Sequence, residues 1–191
     1  KEGNIIRTSG LGHEKDIGSG YWIGNQAFLK LALNESVIQF DDNYNEIYNI
    51  VLNKFNKDSL VEVLEYISDS NETVKNKALI AKDIIDISKH NNIALSIIQE
   101  ATFNIAEEII NLNDKLDYKL TNELNLFGNG SVIRSDIFRN SLNDSLSFNF
   151  SKINWFFSKL SSAYGSAIIA ALSKDNIKIN AKKLLKGDYL V

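Results

Sequence analysis

GLGHEKDIGSGYWIG, residues 10–24, holds five glycines, two acids and two adjacent aromatics in fifteen positions, and then runs into an amphipathic pattern. Two physical readings fit it. In the first, the glycines make a turn, and Asp16 is the N-cap of the following helix, its carboxylate accepting from backbone N–H groups of the first turn. In the second, a ligand approaches the backbone, because glycine has no Cβ to obstruct it. Asp16 then holds a hydroxyl, and the glycines lie against a ring. From Tyr21 onward the spacing of Trp22, Ile23, Ala27, Leu29, Leu31 and Leu33 predicts a buried helix.

Composition narrows the classes of function. The chain has 191 residues, 44% of them hydrophobic and 24% charged, which supports one substantial core. A net charge of −3 with no basic concentration excludes an electrostatic footprint for nucleic acid. No apolar run approaches the ~18 residues of a membrane span, and no signal peptide opens the chain, so the expected location is cytoplasmic. With no cysteine, disulfides, zinc thiolates and cysteine-ligated iron–sulfur clusters are excluded within this segment. Proline and methionine are absent as well. The Asn-, Ile- and Lys-rich composition points to AT-rich coding, and the lack of an initiator methionine to a fragment of a longer protein.

Beyond the opening, KEGNIIRTSG reads as a short strand around Ile5 and Ile6. FDDNYNEIYNIVLNKF and DSLVEVLEYISDS each carry apolar residues every three to four positions and predict helices, the second capped by Asp58 or Ser59. Between Asn71 and Leu116 the pattern is helical almost throughout. One helix takes Val74, Ala78, Ile80, Ala81, Ile84, Ile85 and Ile87, and a break at Lys89–Asn92 leads to a second beginning near Ala94. TNELNLFGNGSVIRSDIFRNSL then reads as strand, glycine turn and helix. SKINWFFSKLS fits a strand or a short helix, and AYGSAIIAALS a small-residue helix. The sum is an α/β domain with excess helix.

GNGSVIRS, residues 128–135, is the second informative stretch. A strand ending in Gly-x-Gly and feeding a helix presents backbone amides at the helix N-terminus, where a phosphate or a flat adenine ring is received. Arg134 is suited to a base or an anion. The alternative is a plain strand-to-helix turn, and a lone Gly-x-Gly is weak evidence. His13 and His90 lack the spacing of a metal site and read as surface or loop residues. Tyr21 and Trp22 read as core. Glu107, Glu108 and Asp114 read as a solvated helix face. No Ser-His-Asp or Walker A pattern is present.

Taken together and in this order, GLGH, DIGSGYWIG and GSVIRS resemble the C-terminal half of the N-acetylglucosamine kinase family, within the BadF/BadG/BcrA/BcrD group of actin-like ATPases. The family's segments read Gly-Trp-Gly-His, Gly-Asp-Glu-Gly-Ser-x-Tyr-Trp-Ile and Gly-Ser-Val-x-Lys/Arg-Ser. Between them ISKHNNIA, residues 87–94, stands where the family carries Ala-x-x-Gly-Asp-x-x-Ala, with Ala94 kept, Asn91 for the aspartate and His90 for the glycine. AYGSAIIAAL fits the family's last segment. The likeness runs from about residue 3 to residue 173. Leu11 replaces an aromatic, Ile17 replaces an acid, and the step from His13 to Asp16 is one residue short.

The resemblance implies a ribonuclease H-like lobe, a mixed sheet flanked by helices, over residues 1–173, with 174–191 as a tail. It implies ATP and Mg²⁺ as cofactors and an amino sugar as substrate. By position, Gly10, Leu11, Gly12 and Asp16 would contact the sugar, and Gly130, Ser131 and Ser135 the adenosine. The phosphate loops and the catalytic aspartate of the family precede the equivalent of residue 1. This chain would then work with its own N-terminal lobe, with a homodimer as a further possibility, and would be inert alone. Two other functions fit the same resemblance: an ATPase that activates a dehydratase or reductase, against which the absence of cysteine argues, and a sugar-sensing module without turnover, which Leu11 and Ile17 favour.

Overall fold

In the computed structural model, residues 8, 10, 12–115 and 122–157 are described. The expected strand around Ile5 and Ile6, Leu11, the helix expected over AYGSAIIAALS and the tail 174–191 lie outside them. The chain is α/β and rich in helix, with helices α1 (Gly20–Leu33), α2 (Asp42–Phe55), α3 (Leu60–Ser68), α4 (Thr73–Ala78), α5 (Ala81–Ile87) and α6 (Asn92–Asp114) before strand β1 (Glu123–Gly128), helix α7 (Asp136–Leu146) and strand β2 (Lys152–Phe157).

The start of α1 corrects one expectation. Ser19, not Asp16, is the N-cap: its hydroxyl accepts from Trp22 N–H. Asp16 lies three residues too early, and its Oδ1 accepts instead from Gly10 N–H at 2.7 Å. Trp22, Ile23, Ala27, Phe28 and Leu31 are buried, whereas Leu29 and Leu33 are exposed, because the buried stripe of a helix is narrower than the apolar run. Caps elsewhere follow side-chain chemistry. Asp41 Oδ1 accepts from Asn43 and Tyr44 N–H at the start of α2, and Ser59, rather than Asp58, accepts from Glu62 N–H at the start of α3.

The single helix expected over residues 74–87 is two. Leu79 N–H bonds the Asn76 carbonyl at 3.2 Å, a tight turn that ends α4, and α5 begins beyond the buried Ile80. The break between α5 and α6 falls at 88–91, as expected, and is closed by polar chemistry. Asn91 is buried; its Oδ1 accepts from Ala94 N–H at 2.9 Å as the cap of α6. Its amide donates to the Asn43 carbonyl at 2.9 Å and to Glu46 Oε2 at 2.8 Å, tying the α5–α6 junction to the start of α2. Every hydrogen-bonding group of this buried side chain has a partner.

Helices α1, α2, α3, α5 and α6 share one core, centred on Ile23, Leu31, Ile47, Val63, Ile84 and Ile97, which Phe138 of α7 also enters. A second, smaller core lies under the sheet and holds Ala106, Leu124, Leu142, Leu146 and Phe150.

The sheet settles the reading of SKINWFF as a strand. β1 and β2 pair in parallel, with α7 as the crossover, in register from Glu123↔Lys152 to Gly128↔Phe157. Leu124, Leu126, Ile153 and Trp155 pack inward. The outer face is a ladder of matched pairs: Lys152 to Glu123 at 3.3 Å, Asn154 to Asn125 at 3.0 Å, and Phe127 stacked on Phe156 with centroids 5.0 Å apart. Among the described residues the expected mixed sheet is represented by this parallel pair, and no helix is long and apolar enough to cross a membrane.

Candidate functional site

The two glycine-rich stretches meet. Residues 16–21 and 129–135 lie against each other over α4 and α5, and their meeting line is bordered by two clefts with a common wall of Gly20, Ala78 and Ser131. One cleft, of about 730 Å³, is the more polar of the two: His13, Asp16, Tyr21, Glu72 and Lys75 border it, together with Val74 and Ala78. The other, of about 460 Å³, has apolar walls from Ala81 and Ile85 on one side and Val132 on the other, with Ser131 and Ser135 beside them. Volumes of this order suit small-molecule ligands.

The polar cleft takes its shape from the loop ahead of α1. Gly10 and Gly12 have φ of +75° and +116°, a region that side-chain-bearing residues rarely adopt. The Gly12 carbonyl accepts from Lys15 and Asp16 N–H, at 2.9 and 3.0 Å, so that the loop closes on itself and brings half-buried Asp16 to the cleft. Gly10, Gly12 and Asp16 are therefore brought together in one loop, and only Asp16 of the three borders the cleft. Tyr21 forms another wall. His13 packs edge-on against its ring, centroids 4.7 Å apart, and the Lys77 ammonium sits 5.6 Å from the ring centre while donating to Asn25 Oδ1 at 2.7 Å. Lys75, exposed at the rim, has its pKa raised by hydrogen bonds to Glu72, at 2.8 and 3.0 Å.

The apolar cleft depends on the turn after β1. Gly130, with φ of +102°, turns the chain, and Asn129 Oδ1 accepts from its N–H at 3.0 Å. Ser135 occupies the N-cap position of α7, yet its hydroxyl makes no cap bond to the helix and instead borders the cleft. Ser131 is exposed at the common wall. Gly130 borders a separate small recess with Gly18, Ile105 and Phe138, next to the same wall. Arg134 lies at the cleft with its guanidinium 5.5 Å from the Phe157 ring centre.

Several residues at the site were not singled out from the sequence. Arg139 donates to the Ile133 carbonyl at 3.0 Å, pairs with Asp136 and covers the Phe157 ring, and so braces the 131–135 turn from below. Lys82 and Asp86 stand at the rim of the apolar cleft. Their only signal in the sequence was the i, i+4 spacing on the helix that carries Ala81 and Ile85. Conversely, His90 and Asn91 lie away from both clefts: His90 Nε2 is 2.9 Å from Glu46 Oε1 on the surface, and Asn91 is the buried cap already described. The hydrogen bond from Asn91, followed by that of His90, holds the Glu46 carboxyl below the ordinary glutamate range. Trp22 is core, Tyr21 is half-exposed at the cleft, and Glu107, Glu108 and Asp114 are exposed along α6. Among the described residues no group of three or more His, Cys, Asp or Glu side chains is placed to hold a metal ion.

No protein-family model matches this chain, and no curated protein matches it.

Proposed function

We propose that this chain is the adenosine- and sugar-holding lobe, ribonuclease H-like in fold, of an ATP-dependent kinase acting on N-acetylglucosamine or a related amino sugar. The observation that carries the reading is the common wall: the segment resembling the family's sugar loop and the segment resembling its adenosine loop border adjoining clefts that share Gly20, Ala78 and Ser131. One cleft suits a flat apolar ring, with hydroxyls at its edge. The other suits a polyhydroxylated ring, with a carboxylate, Asp16, to accept from its hydroxyls and Tyr21 to pack on its apolar face.

In this reading adenosine lies between Ile85 and Val132, with Ser131 and Ser135 at its margin, and the phosphates pass over Gly20 and Ser131 toward the sugar near Asp16. A side chain at Gly20 would stand between the two. The γ-phosphorus gains a bond to the sugar oxygen as its bond to the ADP oxygen breaks, and the hydroxyl proton leaves to a carboxylate. That carboxylate and the phosphate loops belong, in this reading, to a second lobe. Mg²⁺ would come with the phosphates, because the described residues offer it no ligand cluster. Positioning of both rings is the part of the catalysis left to this chain.

The test is release of ADP by the protein made from its whole reading frame, supplied with Mg·ATP and a panel of amino sugars and hexoses. Release that depends on an amino sugar is expected, and Asp16→Ala is expected to raise the KM for the sugar at least tenfold, the loss of a charge-assisted hydrogen bond. ADP release indifferent to every sugar would overturn the kinase reading in favour of an ATPase.

A further inference from the structure

The two walls of the apolar cleft are held in different ways. Ala81 and Ile85 on the α5 side are buried in the helical core. The facing wall is the 131–135 turn, where Val132 is half-buried and Arg134 exposed, and Ser135 gives α7 no side-chain cap. The end of β2 supplies its seat. Phe157 shares the inner side of the sheet with Trp155, the two rings stacked 6.1 Å apart and 13° from parallel. Its partner in register is Gly128, and its ring occupies the space a side chain there would fill: a Cβ on Gly128 would stand 2.5 Å from Phe157 Cε1. The guanidiniums of Arg139 and Arg134 lie 5.1 and 5.5 Å from the centre of the same ring. Arg134 is part of the turn, and Arg139, on α7, donates to the Ile133 carbonyl within it at 3.0 Å. One ring thus engages the turn at two points, although Phe157 does not itself border the cleft.

Resting on the adenosine reading of this cleft, we propose that Phe157 is a positioning residue for the nucleotide: without touching it, the ring seats the 131–135 turn through Arg134 and Arg139 and so sets the separation of Val132 from Ile85. A slot for a flat ring binds only while both walls stand at the right distance. Core packing fixes the α5 wall, so the position of the turn decides the width. Attraction between an aromatic face and a guanidinium holds an exposed arginine that packing alone would leave mobile. When the turn leaves its seat, the fraction of protein able to bind falls, and the apparent affinity falls with that fraction. Gly128 belongs to the same device, because only a residue without a side chain lets the ring lie where both arginines reach it.

The experiment is titration calorimetry of the whole protein with ADP and, separately, with N-acetylglucosamine, alongside melting temperatures, for the parent, Phe157→Leu and Gly128→Ala. Phe157→Leu keeps apolar bulk and removes the π face. Gly128→Ala keeps the ring but displaces it, and the obstacle is a side chain that can swing rather than backbone, so the fold itself is left in place. Each variant is expected to bind ADP about tenfold more weakly, the scale of two cation–π contacts, with sugar affinity unchanged and little loss of melting temperature. ADP affinity equal to the parent's in both variants overturns the role of Phe157 while leaving the cleft a nucleotide site. Loss of ADP and sugar affinity together, in step with melting temperature, also overturns it, by making Phe157 a packing residue of the sheet. Failure of the parent to bind ADP overturns the adenosine reading itself, and the proposal with it.

Discussion

Two glycine-rich stretches lie side by side in this fold, and two of their glycines, Gly24 and Gly130, do opposite things. In residues 10–24 the deepest glycine serves packing: a Cβ on Gly24 would overlap the backbone carbonyl of Lys77, where α1 crosses α4. In residues 128–135 the central glycine serves shape: a Cβ on Gly130 would meet nothing within 4 Å, yet its φ of +102° excludes most side chains. A cluster of glycines therefore does not mark a ligand site as a whole. Each glycine has its own neighbour, and only those with open space or a cleft beside them are candidates for function.

The largest effect expected follows from Gly24. The obstacle is backbone rather than the end of a flexible side chain, so α1 and α4 must separate to admit a methyl group. Gly24→Ala should destabilise the fold by about 3 kcal/mol, the upper end of overpacking costs, despite the better helix propensity of alanine. Urea denaturation measures it. A variant as stable as the parent would show that the crossing is not tight and would erase the contrast between the turns.

Next comes Asn91, which the family resemblance aligned with an aspartate and which the fold uses as a buried cap. Asn91→Ala removes the bond to Ala94 N–H and the donors to Glu46 and to the Asn43 carbonyl, at a cost of about 2 kcal/mol. Under the kinase reading, nucleotide binding should be untouched at temperatures where the variant is folded. A selective loss of binding with unchanged stability would move this segment from the fold to the site.

These cases show what was legible in the sequence and what was not. Local chemistry was legible: Ser59 and the α5–α6 break follow from side chains that satisfy nearby N–H groups, and the strand–turn–helix of β1, residues 128–135 and α7 follows from its glycines and periodicity. Asp16 was misassigned as the cap of α1 because the acid and the serine both qualify chemically and only the chain path, bent by Gly12 and Gly18, decides between them. The α4–α5 break was hidden because Ala78, Leu79, Ile80 and Ala81 are all ordinary helix residues. What opposes Gly24, and what Lys82 and Asp86 face, depends on elements distant in the chain, and a pattern within one helix carries no trace of them. Of the candidate site, the two segments were legible, and their adjacency was not.

Gly130→Ala should cost about 1 kcal/mol, the strain of a positive φ without any clash. Under the kinase reading it should also weaken adenine nucleotide binding, since Ser131 follows directly in the turn. The expected signature is the reverse of Gly24→Ala: little stability lost and affinity reduced severalfold, read by denaturation and calorimetry on the same samples.

The Glu46 carboxyl offers a smaller, pH-dependent check on the structural half of the comparison. Its folded pKa is lowered, first by Asn91 and then by His90, so its stabilisation is present above the ordinary glutamate pKa and is lost as the pH falls through that range toward the folded value. Melting temperature should therefore drop on acidification over this interval. In Asn91→Ala that drop should be shallower, because the largest cause of the shift is gone. An identical acid slope in both proteins would detach Glu46 from the buried amide.

Gly20 gives the smallest change in stability and the sharpest test. It is the first residue of α1 and part of the wall common to both clefts. A Cβ there would lie 3.7 Å from the Cβ atoms of Ala78 and Ala81 and 3.9 Å from Val132 Cγ2, ordinary contact distances that require nothing to move. Gly20→Ala should thus leave stability within about 1 kcal/mol of the parent, with any change favourable, because alanine restricts the unfolded chain more than glycine does. The methyl group nevertheless fills space along the wall where the two clefts adjoin. Under the kinase reading it should slow turnover and weaken nucleotide binding while the protein melts no lower than before. Equal stability with undiminished binding would make Gly20 neither a packing residue like Gly24 nor part of a ligand site, leaving the clefts as two unrelated hollows on one surface.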